Sequence, residues 1–268
     1  MLSRMTKSAE GFPPYNIEQT GTETLKIVLA GAGYTESDLD IIVEDNQLVI
    51  RGRQAQNPDK KYPVFYLISG TTDTEETWFK VGRVNAILDN LIAEGKAEPM
   101  IVVMPYGYMM HGTPTPASMS AAEMYNDFAT ELTSAIMPFV EKNFRTINDR
   151  ESRAIAGFSR GGGQSLYSAF ANLDKFAWVA SYAAFLTDEM IEKKFPEIDQ
   201  KPETLNNQLR LLWYGVGNSD FLYNDVTANW KYLDRKGINY KKKETTGGHT
   251  WMNARNYLYE TLQLFFKH

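Results

Sequence analysis

The sequence predicts an α/β fold, in which helices cover both faces of a mostly parallel sheet and a short antiparallel β segment comes first. From Lys61 onward, short apolar runs alternate with stretches of helical periodicity, the pattern of parallel strands joined by crossover helices. Residues 8–53 instead carry strand and turn patterns without a helix. Residues 54–60, Gln-Ala-Gln-Asn-Pro-Asp-Lys, are polar and predict a joint. We therefore expect a β meander over 8–53 and a larger domain over 61–268.

The β meander contains three strand patterns separated by turn signals. These strands are predicted at Thr24–Ala30, Asp38–Glu44 and Gln47–Arg51. Gly31-Ala32-Gly33 and Asp45-Asn46 supply the turns, because glycine, asparagine and aspartate tolerate turn conformations.

The larger domain contains six strand patterns. They are Tyr62–Ser69, Met100–Met104, Ala154–Ala156, Phe176–Ala183, Leu209–Val216 and Ile238–Glu244. The main helical patterns are 84–92, Ala121–Asn143, a helix after Gly161, Asp188–Lys194, Tyr223–Lys236 and Trp251–Phe266. Pro138 predicts a kink or break inside the second of these, because proline cannot donate a helical hydrogen bond. Residues 106–119 have loop composition, and the alternatives are a lid with an adaptable methionine surface or an ordinary surface loop.

Composition excludes several kinds of site. The chain has 268 residues and a net charge of −5, and its longest basic run, Lys241–Lys243, is better explained as a solvated strand end than as a nucleic-acid site. Cysteine is absent, so disulfides, thiol catalysis and zinc–thiolate sites are excluded. No signal peptide or membrane-spanning segment is recognisable, and we expect a cytoplasmic protein.

The stretch Gly157-Phe158-Ser159-Arg160-Gly161 predicts a nucleophile elbow. An apolar strand pattern precedes this G-x-S-x-G sequence, and Leu166 and Phe170 begin a helical pattern after it. The glycines permit a very tight turn that lifts the Ser159 hydroxyl above the sheet, at a helix N-terminus that favours negative charge.

Ser159 needs a base and a residue that orients the base. His249 lies between the last strand and the last helix, which is the carboxyl edge of the sheet where a base belongs, whereas His111 lies in the predicted loop. Asp220 is the first acid after the strand ending at Val216 and is the predicted orienting acid. Asp225 is the alternative, although it falls where an acid commonly begins a helix.

An oxyanion hole requires two backbone N–H groups. We expect these from Arg160, directly after the nucleophile, and from Thr71, in the loop after the first parallel strand. Aromatic residues near the same edge predict a substrate wall. The predicted substrate-binding residues are Phe221, Trp251, Trp78 and Phe158.

From about Lys61 to its end, the chain resembles the putative-esterase family of α/β-hydrolases, which includes feruloyl, acetyl xylan and esterase D-like esterases. The matching phrases are Lys61–Leu67, Leu88–Ile92, Met100–Pro105, Ala154–Gly163 and Gly247–Trp251. The resemblance implies the roles of nucleophile, acid and base for Ser159, Asp220 and His249. The chain departs from this family in two motifs. The family usually has His-Gly where this chain has Ser69-Gly70, and it usually has Gly-His-Ser-Met-Gly at the elbow, where this chain has Gly157-Phe158-Ser159-Arg160-Gly161. Arg160, which replaces the methionine, either alters substrate choice or points to solvent.

Residues 8–53 resemble the first half of the α-crystallin domain of bacterial small heat-shock proteins. The matching phrases are Pro14–Glu18, Ala30–Tyr34 and Glu44–Gly52. Half a β-sandwich cannot bury its own sheet. The segment also replaces two antiparallel strands with which the esterase family begins, so we expect it to shield the edge of the large sheet, or else to form a homodimer by pairing with a second copy.

The resemblance and the site residues together predict a serine carboxylic ester hydrolase. The expected substrates are small-molecule or carbohydrate-linked esters carrying feruloyl, acetyl or small aromatic acyl groups. No cofactor, metal, nucleic acid or membrane is expected as a partner. The alternatives are a chaperone-like binding protein led by the β meander, and an inactive hydrolase fold used for binding.

Overall fold

The computed structural model describes four strands in the first 52 residues, and then residues 59–107 and 120–267. The four strands are β1 (Tyr15–Gln19), β2 (Leu25–Leu29), β3 (Leu39–Glu44) and β4 (Gln47–Gly52). They form two separate antiparallel pairs, β1 with β2 and β3 with β4. The three predicted strands are confirmed to within about a residue at each end, and β1 is an additional strand. Among the described strands, these four do not hydrogen-bond to the large sheet, and their predicted packing against its edge stays a prediction.

The six strands predicted for the larger domain are confirmed as one parallel sheet. Their bounds are β5 (Val64–Ile68), β6 (Ile101–Val103), β7 (Arg153–Phe158), β8 (Trp178–Tyr182), β9 (Leu211–Gly217) and β10 (Lys241–Thr245). The strand order is β10-β9-β8-β7-β5-β6, and every neighbouring pair is parallel. The order reverses direction between β5 and β7, and such a switch point opens a crevice at the carboxyl ends of the strands.

Alternating side chains of the strands belong to two separate apolar clusters, one on each face of the sheet. On β5, Tyr66 and Ile68 belong to the first cluster, whereas Phe65 and Leu67 belong to the second. This alternation follows from the two-residue period of a strand. All of β5, β7, β8 and β9 is buried, which confirms that helices cover both faces of the sheet.

The helices of the first face pack around the centre of the sheet. They include α3 (Ala121–Glu131), α4 (Met137–Asn143), α5 (Arg160–Ala171), α6 (Asp188–Lys194), α7 (Pro196–Gln200), α8 (Glu203–Gln208) and α9 (Tyr223–Lys236). The second face is covered by α1 (Thr77–Lys80), α2 (Val84–Ala93) and α10 (Trp251–Leu262). The last helix ends four residues before the predicted Phe266, and α7 and α8 lie in a stretch for which the sequence predicts only α6.

The predicted break at Pro138 is confirmed and has a specific form. A π-helical segment, Leu132–Ile136, separates α3 from α4, and the Met137 N–H donates to the carbonyl of Leu132, five residues earlier. Pro138 then lies in the first turn of α4, where its missing N–H leaves no internal helical bond unmade.

The two edge strands of the large sheet differ in polarity. The Lys241-Lys242-Lys243 run lies on β10 and is exposed, as the solvated interpretation of this run predicts, and such charges protect an edge from pairing. At the opposite edge, β6 is half-buried and borders an apolar groove of about 580 Å³. Phe139 and Phe144 line this groove and are 63% and 54% exposed. This edge is therefore the one that most needs a cover.

No helix in the described part of the chain is both long enough and apolar enough to cross a bilayer.

Candidate active site

Ser159 occupies a strained turn between β7 and α5. Its backbone angles are φ 57° and ψ −125°, a conformation that non-glycine residues rarely adopt. The turn is held because the Ser159 N–H donates to the Tyr182 carbonyl at 2.8 Å and the Ser159 carbonyl accepts from the Gly162 N–H at 2.8 Å. A Cβ on Gly161 would collide with the carbonyls of Ile68 and Ser69. The geometry is that of a nucleophile elbow.

His249 and Asp220 come together at the same edge of the sheet. Asp220 lies three residues after the end of β9, and His249 lies in the loop between β10 and α10. The Nδ1 atom of His249 is 2.8 Å from Oδ2 of Asp220. The other carboxylate oxygen, Oδ1, accepts the Leu222 N–H at 2.8 Å. Both oxygens of this buried carboxylate are thus engaged, and the carboxylate orients the imidazole so that Nε2 faces away from it.

The alternative acid, Asp225, lies in the first turn of α9, as expected of a helix-starting acid. The other histidine considered, His111, lies outside the described residues, as do residues 108–119 of the predicted loop 106–119.

Aromatic contacts place His249 beside the elbow. Its ring stacks on Phe158, the residue before Ser159, with 4.6 Å between ring centroids and an interplanar angle of 26°. The Phe221 ring lies on His249 at the same centroid distance, with an interplanar angle of 48°. The structure therefore gathers the three predicted triad residues at the carboxyl ends of β7, β9 and β10.

The predicted substrate wall has an outer and an inner layer. Phe221 is 74% exposed and Trp251 is partly exposed, so both can face a ligand. Trp78 and Phe158 are buried beneath them, and the Trp78 ring packs against Trp251 at 4.8 Å between centroids. The indole N–H of Trp78 donates to the Ile68 carbonyl at 2.9 Å. Trp78 and Phe158 are thus buried in this structure, and their predicted contact with substrate stays a prediction.

The loop after β5 lies directly against the nucleophile. A Cβ built on Gly70 would be 3.6 Å from the Cβ of Ser159. The Gly70 N–H donates to Oδ2 of Asp73 at 3.0 Å, which leaves the N–H of the next residue, Thr71, as the predicted donor of this loop. The other predicted donor, the Arg160 N–H, lies in the first turn of α5, where backbone N–H groups lack helical acceptors.

The side chain of Arg160 is buried beside the elbow, a placement that the sequence left open. It is only 7% exposed, so the expectation that it could point to solvent is wrong. Its Nη2 atom donates to the Gly70 carbonyl at 2.7 Å and makes a longer contact of 3.4 Å with the Ser69 carbonyl. Asp73 was also missed, although an aspartate three residues after a glycine is a recognisable turn signal.

No group of three possible metal ligands occurs within residues 59–107 and 120–267.

Comparison with known proteins identifies the family. The model of the family described as Putative esterase matches residues 51–264, which is most of the chain. The chain belongs to this family. Its larger domain is thus that of a carboxylic ester hydrolase with an α/β-hydrolase fold.

A curated protein and a solved structure are both similar to this esterase. An endo-1,4-beta-xylanase/feruloyl esterase of Xylanibacter ruminicola is 29% identical over 190 residues, which cover 68% of this chain and 25% of that protein. The chain thus spans about a quarter of the length of this relative. A solved ferulic acid esterase superposes with a TM-score of 0.66 at 25% identity, covering 85% of this chain and 96% of that one.

A further relative is of a different kind. The small heat shock protein IbpA of Yersinia pestis is 35% identical over 71 residues, which cover 26% of this esterase and 50% of that protein. This match agrees with the small heat-shock resemblance noted from the sequence.

Proposed function

We propose that this esterase hydrolyses carboxylic esters through an acyl-enzyme, with Ser159 as nucleophile, His249 as general base and Asp220 as the residue that orients His249. The observation that carries the proposal is the 2.8 Å contact between His249 Nδ1 and Asp220 Oδ2, beside a serine in a strained elbow. That contact commits Nδ1–H to the carboxylate and leaves Nε2 with a lone pair for the serine proton.

In the acylation step, the Ser159 oxygen attacks the ester carbonyl carbon while its proton moves to Nε2 of His249. The carbonyl oxygen becomes an oxyanion, which the N–H groups of Thr71 and Arg160 stabilise. Collapse of this tetrahedral intermediate breaks the bond to the alcohol, which leaves with the proton from His249. Removing one oxyanion donor typically lowers kcat by about 10²- to 10³-fold, so this hole supplies a large part of the rate.

In the deacylation step, His249 takes a proton from water, and the resulting hydroxide attacks the acyl carbon. Collapse of the second intermediate releases the carboxylic acid and returns the proton to Ser159. Asp220 stabilises the imidazolium in both steps and is not itself protonated.

The proposed acyl groups are feruloyl, acetyl and small aromatic groups. The exposed Phe221 ring lies on His249, so an aromatic acyl group bound to Ser159 has an apolar face to pack against. The relative and the solved structure described above carry feruloyl and ferulic acid esterase in their names, which supports the same class of substrate.

The strain at Ser159 argues against an inactive hydrolase fold used only for binding. A non-glycine residue in such a conformation costs about 1–3 kcal/mol and persists mainly where function requires it. A binding module does not need this strained turn, whereas a nucleophile needs it because the turn lifts the serine hydroxyl above the sheet.

The test is hydrolysis of p-nitrophenyl acetate and methyl ferulate by the wild type and by Ser159→Ala. We expect the variant to lose several orders of magnitude in kcat while keeping the wild-type melting temperature. Intact-mass analysis of rapidly quenched wild type should show the acyl adduct, and Ser159→Ala should not. A folded wild type with no turnover of either ester would contradict the proposal, and suppression of client aggregation by both proteins alike would support a chaperone-like function instead.

A further inference from the structure

We infer that the Arg160 side chain, together with Asp73, is a positioning element that aims the Thr71 N–H into the oxyanion hole. This inference rests on the proposed function, because it concerns the same hole. It assigns to Arg160 a second task, separate from the backbone N–H that follows the nucleophile.

The first step of the argument is the geometry of one peptide bond. The Gly70 carbonyl and the Thr71 N–H belong to the same planar trans peptide, so they point in opposite directions. Nη2 of Arg160 donates to this carbonyl at 2.7 Å. A hydrogen bond that fixes the direction of the carbonyl therefore also fixes the direction of the Thr71 N–H.

The second step concerns the freedom of the loop without this bond. Gly70 has no Cβ, so both peptides that flank it can rotate more freely than those of another residue. Asp73 restrains the first peptide by accepting the Gly70 N–H at 3.0 Å, and Arg160 restrains the second. Both restraints lie against the nucleophile, since a Cβ on Gly70 would be 3.6 Å from the Ser159 Cβ.

The third step is the environment of the guanidinium. Arg160 is 7% exposed, so water competes little for the Gly70 carbonyl, and a charged donor makes the stronger class of hydrogen bond. One turn along the same helix, the Gln164 amide donates to the Gly107 carbonyl at 2.7 Å. The start of α5 thus holds the loops after β5 and β6, and it carries both the Arg160 N–H and the side chain that restrains the Thr71 peptide.

The experiment compares Arg160→Met and Arg160→Lys with wild type, using p-nitrophenyl acetate and the inhibitor phenylboronic acid, which forms a tetrahedral adduct with a reactive serine. For Arg160→Met we expect about a 10²-fold lower kcat, little change in KM, and a parallel loss of phenylboronic acid affinity. Arg160→Lys, which keeps a charged donor, should recover part of both losses. The affinity for ferulate, a ground-state ligand, should stay within about threefold of wild type.

Arg153→Met is the matched control. Arg153 is also buried, at 8% exposure, and lies at the other end of β7, where it pairs with Glu141 at 2.7 Å. It should lower the melting temperature and leave kcat and phenylboronic acid affinity unchanged.

The inference is overturned if folded Arg160→Met keeps kcat within about threefold of wild type, or if its kcat falls without a matching loss of phenylboronic acid affinity. Should this variant not fold, Asp73→Ala decides, because Asp73 lies in a partly exposed loop and its loss should produce the same two effects. If the wild type is active and its activity depends on Ser159, a negative result for Arg160 overturns this inference alone. If the wild type is inactive, the proposed function is overturned as well.

Discussion

Replacing Asp220 with asparagine tests the orientation of His249 while leaving the shape of the site almost unchanged. The asparagine oxygen can still accept the Leu222 N–H, which now bonds to Oδ1 at 2.8 Å. The amide NH₂ then occupies the place of Oδ2, which is 2.8 Å from His249 Nδ1. Because an NH₂ group can only donate, Nδ1 must become the acceptor and the proton must move to Nε2. An imidazole with its proton on Nε2 cannot take the proton of Ser159.

The expected loss follows from this tautomer change. A wrong tautomer in a serine triad lowers kcat by about 10⁴-fold. Since each factor of ten corresponds to about 1.36 kcal/mol, the barrier rises by about 5.4 kcal/mol. The fold should be retained, because the replacement keeps the volume and removes a charge from a position that is 6% exposed.

The assay is the steady-state hydrolysis of p-nitrophenyl acetate, with melting temperatures measured in parallel. Asp225→Asn is the matched control, since Asp225 lies five residues further on, in the first turn of α9. This control should lose at most about 1 kcal/mol of stability through the helix dipole and no activity. The reasoning is refuted if Asp220→Asn keeps kcat within about tenfold of wild type, or if Asp225→Asn loses more activity than it does.

Three further outcomes are expected. Phe221→Ala should raise KM for methyl ferulate several-fold with little change in KM for p-nitrophenyl acetate, because the exposed ring lies on His249. The control Met252→Ala, at the same 74% exposure, should change KM for neither substrate, and equal effects of the two substitutions would contradict a specific aromatic contact. Gly161→Ala should lower the free energy of unfolding, measured by urea denaturation, by about 3 kcal/mol, because the new Cβ would meet backbone carbonyls of β5 and of the loop after it. An unchanged urea midpoint would show that the elbow can relax around the extra methyl group. If the segment before residue 53 shields the β6 edge within one chain, light scattering should give a monomer at all concentrations, whereas a concentration-dependent dimer would favour pairing between copies.

Local patterns determined most of the fold because their physical causes are local. Apolar runs predicted five of the six strands of the large sheet, because parallel strands that are covered on both faces need apolar side chains on both faces, whereas β10 is an exposed polar edge strand. Pro138 predicted the break between α3 and α4, because a missing N–H is a property of the residue itself. The short helices α7 and α8 were missed, because segments of five and six residues are too short for a helical period to stand out.

The site was predicted as far as chain order and strand ends allow. Ser159, Asp220 and His249 each follow a strand of one parallel sheet, so the sequence alone brings them to one edge. The sequence does not, however, predict how deeply an aromatic side chain near this edge is buried. Trp78 and Trp251 are the same residue type near the same edge, yet Trp78 is fully buried, with the Trp251 ring against it, and Trp251 is partly exposed.

The sequence by itself determined the fold class, the elbow and the residues from which a triad is proposed, because each depends on short-range patterns and on the order of strands. Only the tertiary structure decided where the Arg160 side chain goes. A long flexible arginine beside a tight turn can reach solvent or turn inward, and the choice depends on a carbonyl 90 residues earlier in the chain. That contact exists because β5 and β7 are neighbours in the sheet, and no local pattern records the distance between them.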